Sequence, residues 1–105
     1  MKRIYHKLIR DRIPEIIETQ GKCCIVKQLS DEEYLKMVDA KLDEELAEYH
    51  KEQNLEELAD LMEVIYAAAE ARGFTREQLE RVRAEKEAQR GAFHKRLLLL
   101  EVRDS

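Results

Sequence analysis

Between Leu55 and Arg72 lies a stretch that one small chain can hardly hide. Leu58, Leu61, Met62, Val64, Ile65, Tyr66, Ala67, Ala68 and Ala69 spread, at the helical period, around most of a helix circumference. A helix that is apolar nearly all round must be buried nearly all round. A chain of 105 residues buries only ~60–70% of the surface it exposes when unfolded. The expectation is a helical domain in which a second subunit completes the cover of this helix.

The neighbouring segments are helical as well. Ser30 with Glu33 forms an S-x-x-E capping box, which starts a helix at Asp31. Leu35, Val38, Leu42, Leu46 and Tyr49 continue it at steps of three and four, and the pattern breaks at Lys51-Glu52-Gln53. Asn54 with Glu57 makes another capping box and opens the apolar third helix, whose C-terminal cap suits Gly73. Thr75 with Gln78 caps a fourth helix running to about Arg90. Upstream, the segment from His6 to Gln20 reads as a basic stretch entering a short helix. Asp11 caps it, Pro14 is tolerated in its first turn, and Gly21 ends it. Cys23 to Leu29 is the one β-branched run that suits a strand. The tail from Phe93 to Val102 is either a short strand pairing with Ile25 to Leu29 or a helical turn against the core. The fold class expected is all-α, about four helices in a bundle, with short extended segments near 23–29 and in the tail. There is no linker or internal repeat, so residues 1–105 read as one domain.

Composition excludes several classes. Three Gly and one Pro are too few for the tight turns of a sandwich or barrel. The longest purely apolar run, Leu97 to Leu100, is far below the ~20 residues of a membrane span, so no membrane partner is expected. Met1 to His6 has neither an apolar core nor a small-residue cleavage site, so no secretory signal is expected. Cys23 and Cys24 are adjacent, which prevents them from stapling distant segments and makes them a poor metal clamp. They read as reduced thiols of a cytoplasmic protein.

The net charge of −4 hides a strong segregation. Asp31 to Glu63 holds thirteen acids and three lysines, a net −10. Lys2 to Arg12 and Arg72 to Arg103 each carry +4, from five bases against one acid and nine against five. Such runs suit solvated helix faces, or a cation site beside an anion site in which acids hold a divalent metal and bases hold phosphate. Nucleic acid is not an expected partner, because the chain is acidic overall and has no aromatic-studded basic stripe.

The informative acids are Glu44, Glu45 and Glu48 on the second helix and Glu57 and Asp60 on the third. Glu45 and Glu48 are three apart, as are Glu57 and Asp60, so each pair shares a helix surface. About a turn centred between Glu52 and Gln53, Glu48 opposes Glu57 and Glu45 opposes Asp60. Four carboxylates at close range repel one another unless neutralised, and Mg²⁺ or Mn²⁺ suits them as a hard cation. Glu45 also shares the apolar face of Leu42 and Tyr49, where an acid calls for a counter-charge. Taken singly these acids have plainer explanations. Glu57 can simply complete its capping box, and Glu44 and Glu48 can pair with Lys41 and Lys51 or be solvated. Di-iron chemistry needs E-x-x-H motifs that are absent here. His6, His50 and His94 lack ligand-like spacing, and there is no Walker loop, G-x-G-x-x-G or nucleophile elbow.

The run Leu42-Asp43-Glu44-Glu45-Leu46-Ala47-Glu48, followed by Glu56-Glu57-Leu58-Ala59-Asp60-Leu61, resembles the E-E-x-x-E…E-x-x-D signature of the MazG-like all-α nucleotide pyrophosphohydrolases. That superfamily includes phosphoribosyl-ATP pyrophosphohydrolase and dimeric dUTPases. The opening Tyr5-His6-Lys7-Leu8-Ile9-Arg10-Asp11-Arg12-Ile13-Pro14-Glu15-Ile16-Ile17 and the closing Lys86-Glu87-Ala88-Gln89-Arg90-Gly91-Ala92-Phe93 are similar to a small-protein branch called phosphoribosyl-ATP pyrophosphohydrolase-like. The resemblance implies metal ligands at Glu45, Glu48, Glu57 and Asp60, with Mg²⁺, or Mn²⁺, as the ion. It also implies that phosphates meet basic residues, for which Lys7, Arg10, Lys86 and Arg90 are the candidates. Lys86 and Arg90 are four apart on one helical face, which serves phosphate or, with Glu87, an ordinary solvated surface. Arg10 can equally form a local pair with Asp11.

The expected activity is metal-dependent cleavage of a nucleoside triphosphate or related nucleotide to the monophosphate and pyrophosphate, such as house-cleaning of noncanonical nucleotides, by a dimer or dimer of dimers. Glu44 or Glu48 is the candidate proton acceptor for the attacking water. The alternatives are phosphoribosyl-ATP pyrophosphohydrolase of histidine biosynthesis, and a noncatalytic helical nucleotide-binding or oligomerisation module.

Overall fold

Side-chain caps start three of the four helices. Ser30 Oγ accepts from the Glu33 N–H at 3.3 Å, and the Glu33 carboxylate accepts in return from the Ser30 N–H at 3.2 Å. Lys27 donates to the same carboxylate at 2.9 Å. The hydrogen bond from Lys27, followed by those from Ser30, lowers the Glu33 carboxyl from its ordinary value to about 2. Thr75 and Gln78 form the same reciprocal box at 3.0 and 2.8 Å. Asn54 Oδ1 accepts from the Glu57 N–H at 2.9 Å, but the Glu57 carboxylate does not reach back, so only half of that box forms.

A computed structural model describes residues 2–104. The elements are α1 (Ile13–Thr19), α2 (Asp31–Glu52), α3 (Leu55–Ala71) and α4 (Arg76–Arg90). The all-α class and the four helices agree with the sequence pattern. The cap of α1 differs. Arg12 rather than Asp11 occupies the N-cap, without a side-chain cap bond, and Pro14 sits in the first turn. Arg12 instead lies 3.3 Å from Glu15 as an ion pair, so charge takes the place of a cap at this short helix.

α2 and α3 form an antiparallel hairpin. Its corner is two residues long, with Gln53 in the left-handed region at φ 52 and Asn54 extended. At the far end of the pair Arg72 reaches Asp39 at 3.3 Å. α3 closes with Gly73 at φ 87, its N–H on Glu70 O and the Phe74 N–H on Ala69 O. That is the Schellman pattern, and the left-handed φ explains the glycine. Arg76 then sits 3.9 Å over the Tyr66 ring and 3.8 Å from Glu63, tying the start of α4 to α3. α4 contacts α3 but not α2, so it meets the hairpin through α3 alone.

The result is an open molecule. Its radius of gyration is 18.6 Å, against ~13 Å for a compact chain of about this length. Among the described residues Val38 alone is fully buried. Leu58, Met62 and Ile65 of α3 are 41, 51 and 39% exposed, so within one chain the apolar helix keeps an uncovered face. No strand is present among the described residues. Residues 23–29 form irregular backbone with Ile25 fully exposed, and Leu97 to Leu100 are 77–86% exposed. A strand needs a partner ladder to be stable, and the two candidate runs do not pair. The tail is not a docked helical turn either. Cys23 and Cys24 are free thiols. No helix among the described residues is long and apolar enough to cross a membrane.

Candidate metal centre

The hairpin brings one acid of α2 against two of α3. Glu45, Glu57 and Asp60 each offer a carboxylate oxygen, and these oxygens lie within 4.8 Å of one another. Ligand oxygens on an octahedral ion with ~2.1 Å bonds stand ~3 to ~4.2 Å apart. A small closure of side chains therefore fits a hard divalent cation, and three carboxylates with no nitrogen or sulfur donor match the ligand preference of Mg²⁺ and Mn²⁺. Because the Asn54 box is only half formed, the Glu57 carboxylate is free to face the other two.

Glu48 stays outside this trio and is exposed. The sequence symmetry set it opposite Glu57, yet Glu45 is the residue that meets both Glu57 and Asp60. The corner falls at Gln53-Asn54, one residue beyond the centre between Glu52 and Gln53 that the spacing predicts, and Glu48 still adds like charge at Glu57.

Cations border the acids. Arg10 Nη2 donates to Asp60 Oδ1 at 2.7 Å, so its partner is a residue of α3 and not the adjacent Asp11. Lys7 Nζ lies 2.8 Å from Glu44, and Lys41 lies 3.4 Å from Glu44 and 3.5 Å from Glu45. Glu45, only 13% exposed, thus has the counter-charge that its apolar face demands. The sequence signal for Lys41 is its i,i+4 spacing to Glu45. Residues 8–13 run across the hairpin and, with Tyr34, Val64 and Ala67, line a groove of about 610 Å³ that includes Lys41, Glu45 and Asp60. Lys86 and Arg90 neither line this groove nor pair with Glu44, Glu45 or Asp60, whose ion pairs are with Lys7, Arg10 and Lys41.

The charges perturb two of the acids in opposite directions. Burial works to raise the Glu44 carboxyl, but the hydrogen bond from Lys7 and the charges of Lys41 and Lys7 outweigh it and leave it lowered. Lys7 is raised in turn by Glu44. Glu57 is raised from 4.5 by loss of hydration and then by the like charges of Asp60, Glu48, Glu45 and Glu52. A carboxyl raised in the folded state penalises folding once ionised, and the penalty disappears below the unfolded pKa. Glu57→Gln in a chelator should therefore melt higher than wild type at pH 7–8, with the gain shrinking as pH falls through the ordinary carboxylate value. Thermal melts across that range check it, and a Glu57→Gln variant that melts lower at pH 7 would contradict the assigned repulsion.

No protein-family model matches the chain, and no solved structure matches it. An uncharacterized protein of Mycolicibacterium smegmatis is 55% identical over 42 residues, which cover 40% of this chain and 43% of that relative. The chain thus matches less than half the length of this relative, and the similarity is to a protein without a described activity.

Proposed function

We propose that this chain is a divalent-metal-dependent nucleotide pyrophosphohydrolase of the MazG-like kind, acting on a nucleoside triphosphate or related nucleotide and working as an assembly of two or more copies. The observation that carries the reading is the juxtaposition of Glu45, Glu57 and Asp60 across the hairpin, with Arg10 and Lys7 at its edge. Acids alone describe a metal site, and bases alone describe an anion site. The two together suit a metal–phosphate substrate.

Each residue then has a task. Glu45, Glu57 and Asp60 hold the cation, preferably Mg²⁺. When bound, that ion supplies charge neutralisation for the phosphates and activation of a water. Arg10 exchanges Asp60 for a phosphate oxygen, which its planar guanidinium can grip with two bonds, and Lys7 adds a point charge. Glu44 is shared between two lysines, which makes it a poor proton acceptor. Glu48, exposed and outside the trio, is the better choice for taking the proton of the attacking water. Lys86 and Arg90 serve this reading only if a second copy brings them to the site.

The test is pyrophosphate release from a panel of canonical and modified nucleoside triphosphates and phosphoribosyl-ATP, with and without Mg²⁺. Metal-dependent release from at least one member supports the reading, and the preferred substrate separates house-cleaning from histidine biosynthesis. Silence across the panel, with no metal bound, contradicts it. A related expectation concerns Arg10. Its pair with Asp60 competes with the cation, and exposed ion pairs are worth ~0.2–1 kcal/mol. Arg10→Gln should bind Mn²⁺ more tightly, by at most about fivefold, while losing affinity for nucleotide, as separate calorimetric titrations would show.

A further inference from the structure

The molecule exposes two apolar features that do not meet each other within one chain. One is the α3 face of Leu58, Met62 and Ile65. The other is the arm after α4, where Leu97 to Leu100 are 77–86% exposed and Phe93 is 96% exposed. Single exposed apolar residues are ordinary, but contiguous ones mark an interaction surface. α4, which leads into the arm, meets the hairpin through α3 alone, and the chain spans 66 Å along its longest axis.

We infer that residues 93–102 of one copy lie along the uncovered α3 face of a second copy, so that self-association proceeds by exchange of arms. Length is adequate: ten extended residues reach ~33 Å, and the α3 face from Leu55 to Ala69 runs ~21 Å. Charge selects the occupant. Asp31 to Glu63 carries a net −10, so two hairpins laid face to face would bring like charge together, which complementary interfaces avoid. The arm places Lys95 and Arg96 directly before its leucines, and Arg103 is already paired with Glu101. A basic, leucine-rich segment against an acidic, apolar-striped hairpin is complementary in both respects. The inference builds on the self-association named above and is independent of the catalytic part of that proposal.

The test uses full-length chains in a Cys23→Ser, Cys24→Ser background. Met62→Cys and Leu98→Cys are made in separate copies and mixed under mild oxidation. Covalent dimers that form in the mixture, but not from either variant alone, are expected. In parallel, Leu98→Asp with Leu99→Asp should weaken the dimer on the order of 100-fold or more by light scattering while leaving helicity unchanged, because both side chains are exposed in the single chain. Cross-linking of Met62→Cys with itself, meaning α3 against α3, overturns the inference. So does a wild-type dimer indifferent to the arm substitutions, or a monomeric wild type. Pyrophosphate release plays no part in these readouts, so failure here leaves the metal-centre reading standing.

Discussion

Asp60→Asn is expected to reduce metal-dependent pyrophosphate release by at least about 100-fold while leaving the fold intact. Asp60 is one of three acids whose oxygens share a small volume, and an amide replaces an anionic ligand with a neutral one that also donates. The fold should tolerate the change. The Asp60 side chain is 44% exposed and its partner Arg10 58%, and pairs so exposed contribute at most ~1 kcal/mol. Helicity by circular dichroism checks the fold, and initial rates at saturating Mg²⁺ check the chemistry. A variant that turns over like wild type would remove Asp60 from the site.

The second large effect concerns stability. Val38 alone, among the described residues, has a side chain fully sealed from water. Val38→Asp buries an unpaired carboxylate, which costs several kcal/mol. Small domains hold only ~5–15 kcal/mol in total, and one with so little core belongs at the low end. The expected outcome is loss of most helical signal at 25 °C. Ile25→Asp, at a fully exposed position, serves as the control and should melt within a degree or two of wild type. Equal melting of both variants would mean that the hairpin does not bury Val38 in solution.

Local chemistry was the most legible part of the sequence. The boxes at Ser30–Glu33 and Thr75–Gln78 start α2 and α4 where the pattern said, because a cap involves four consecutive residues and needs nothing from elsewhere. Gly73 likewise marked the end of α3. The α1 cap falls one residue beyond Asp11, at Arg12, whose side chain pairs with Glu15. The strand at 23–29 and the docked tail do not form, for a different reason. Their apolar runs describe surface that needs cover, and a run cannot say whether cover comes from the same chain. At the site, i,i+3 spacing and hairpin symmetry point to the acids that meet, Glu45, Glu57 and Asp60, but spacing does not say which carboxylate oxygens come closest, and Glu48 acts on Glu57 as a like charge outside that trio. The contact between Arg10 and Asp60 joins residues 50 apart. No periodicity reports such a pairing, and Arg10 was a candidate only through the resemblance of the opening block.

Whether the acids of the hairpin form a divalent-cation site is tested by calorimetric titration of Mg²⁺ and Mn²⁺ into wild type, Glu45→Gln and Asp60→Asn. The expected result is saturable binding by wild type that is lost, or weakened at least about tenfold, in both variants. Undiminished binding in the variants, or no saturable binding by wild type, would contradict it.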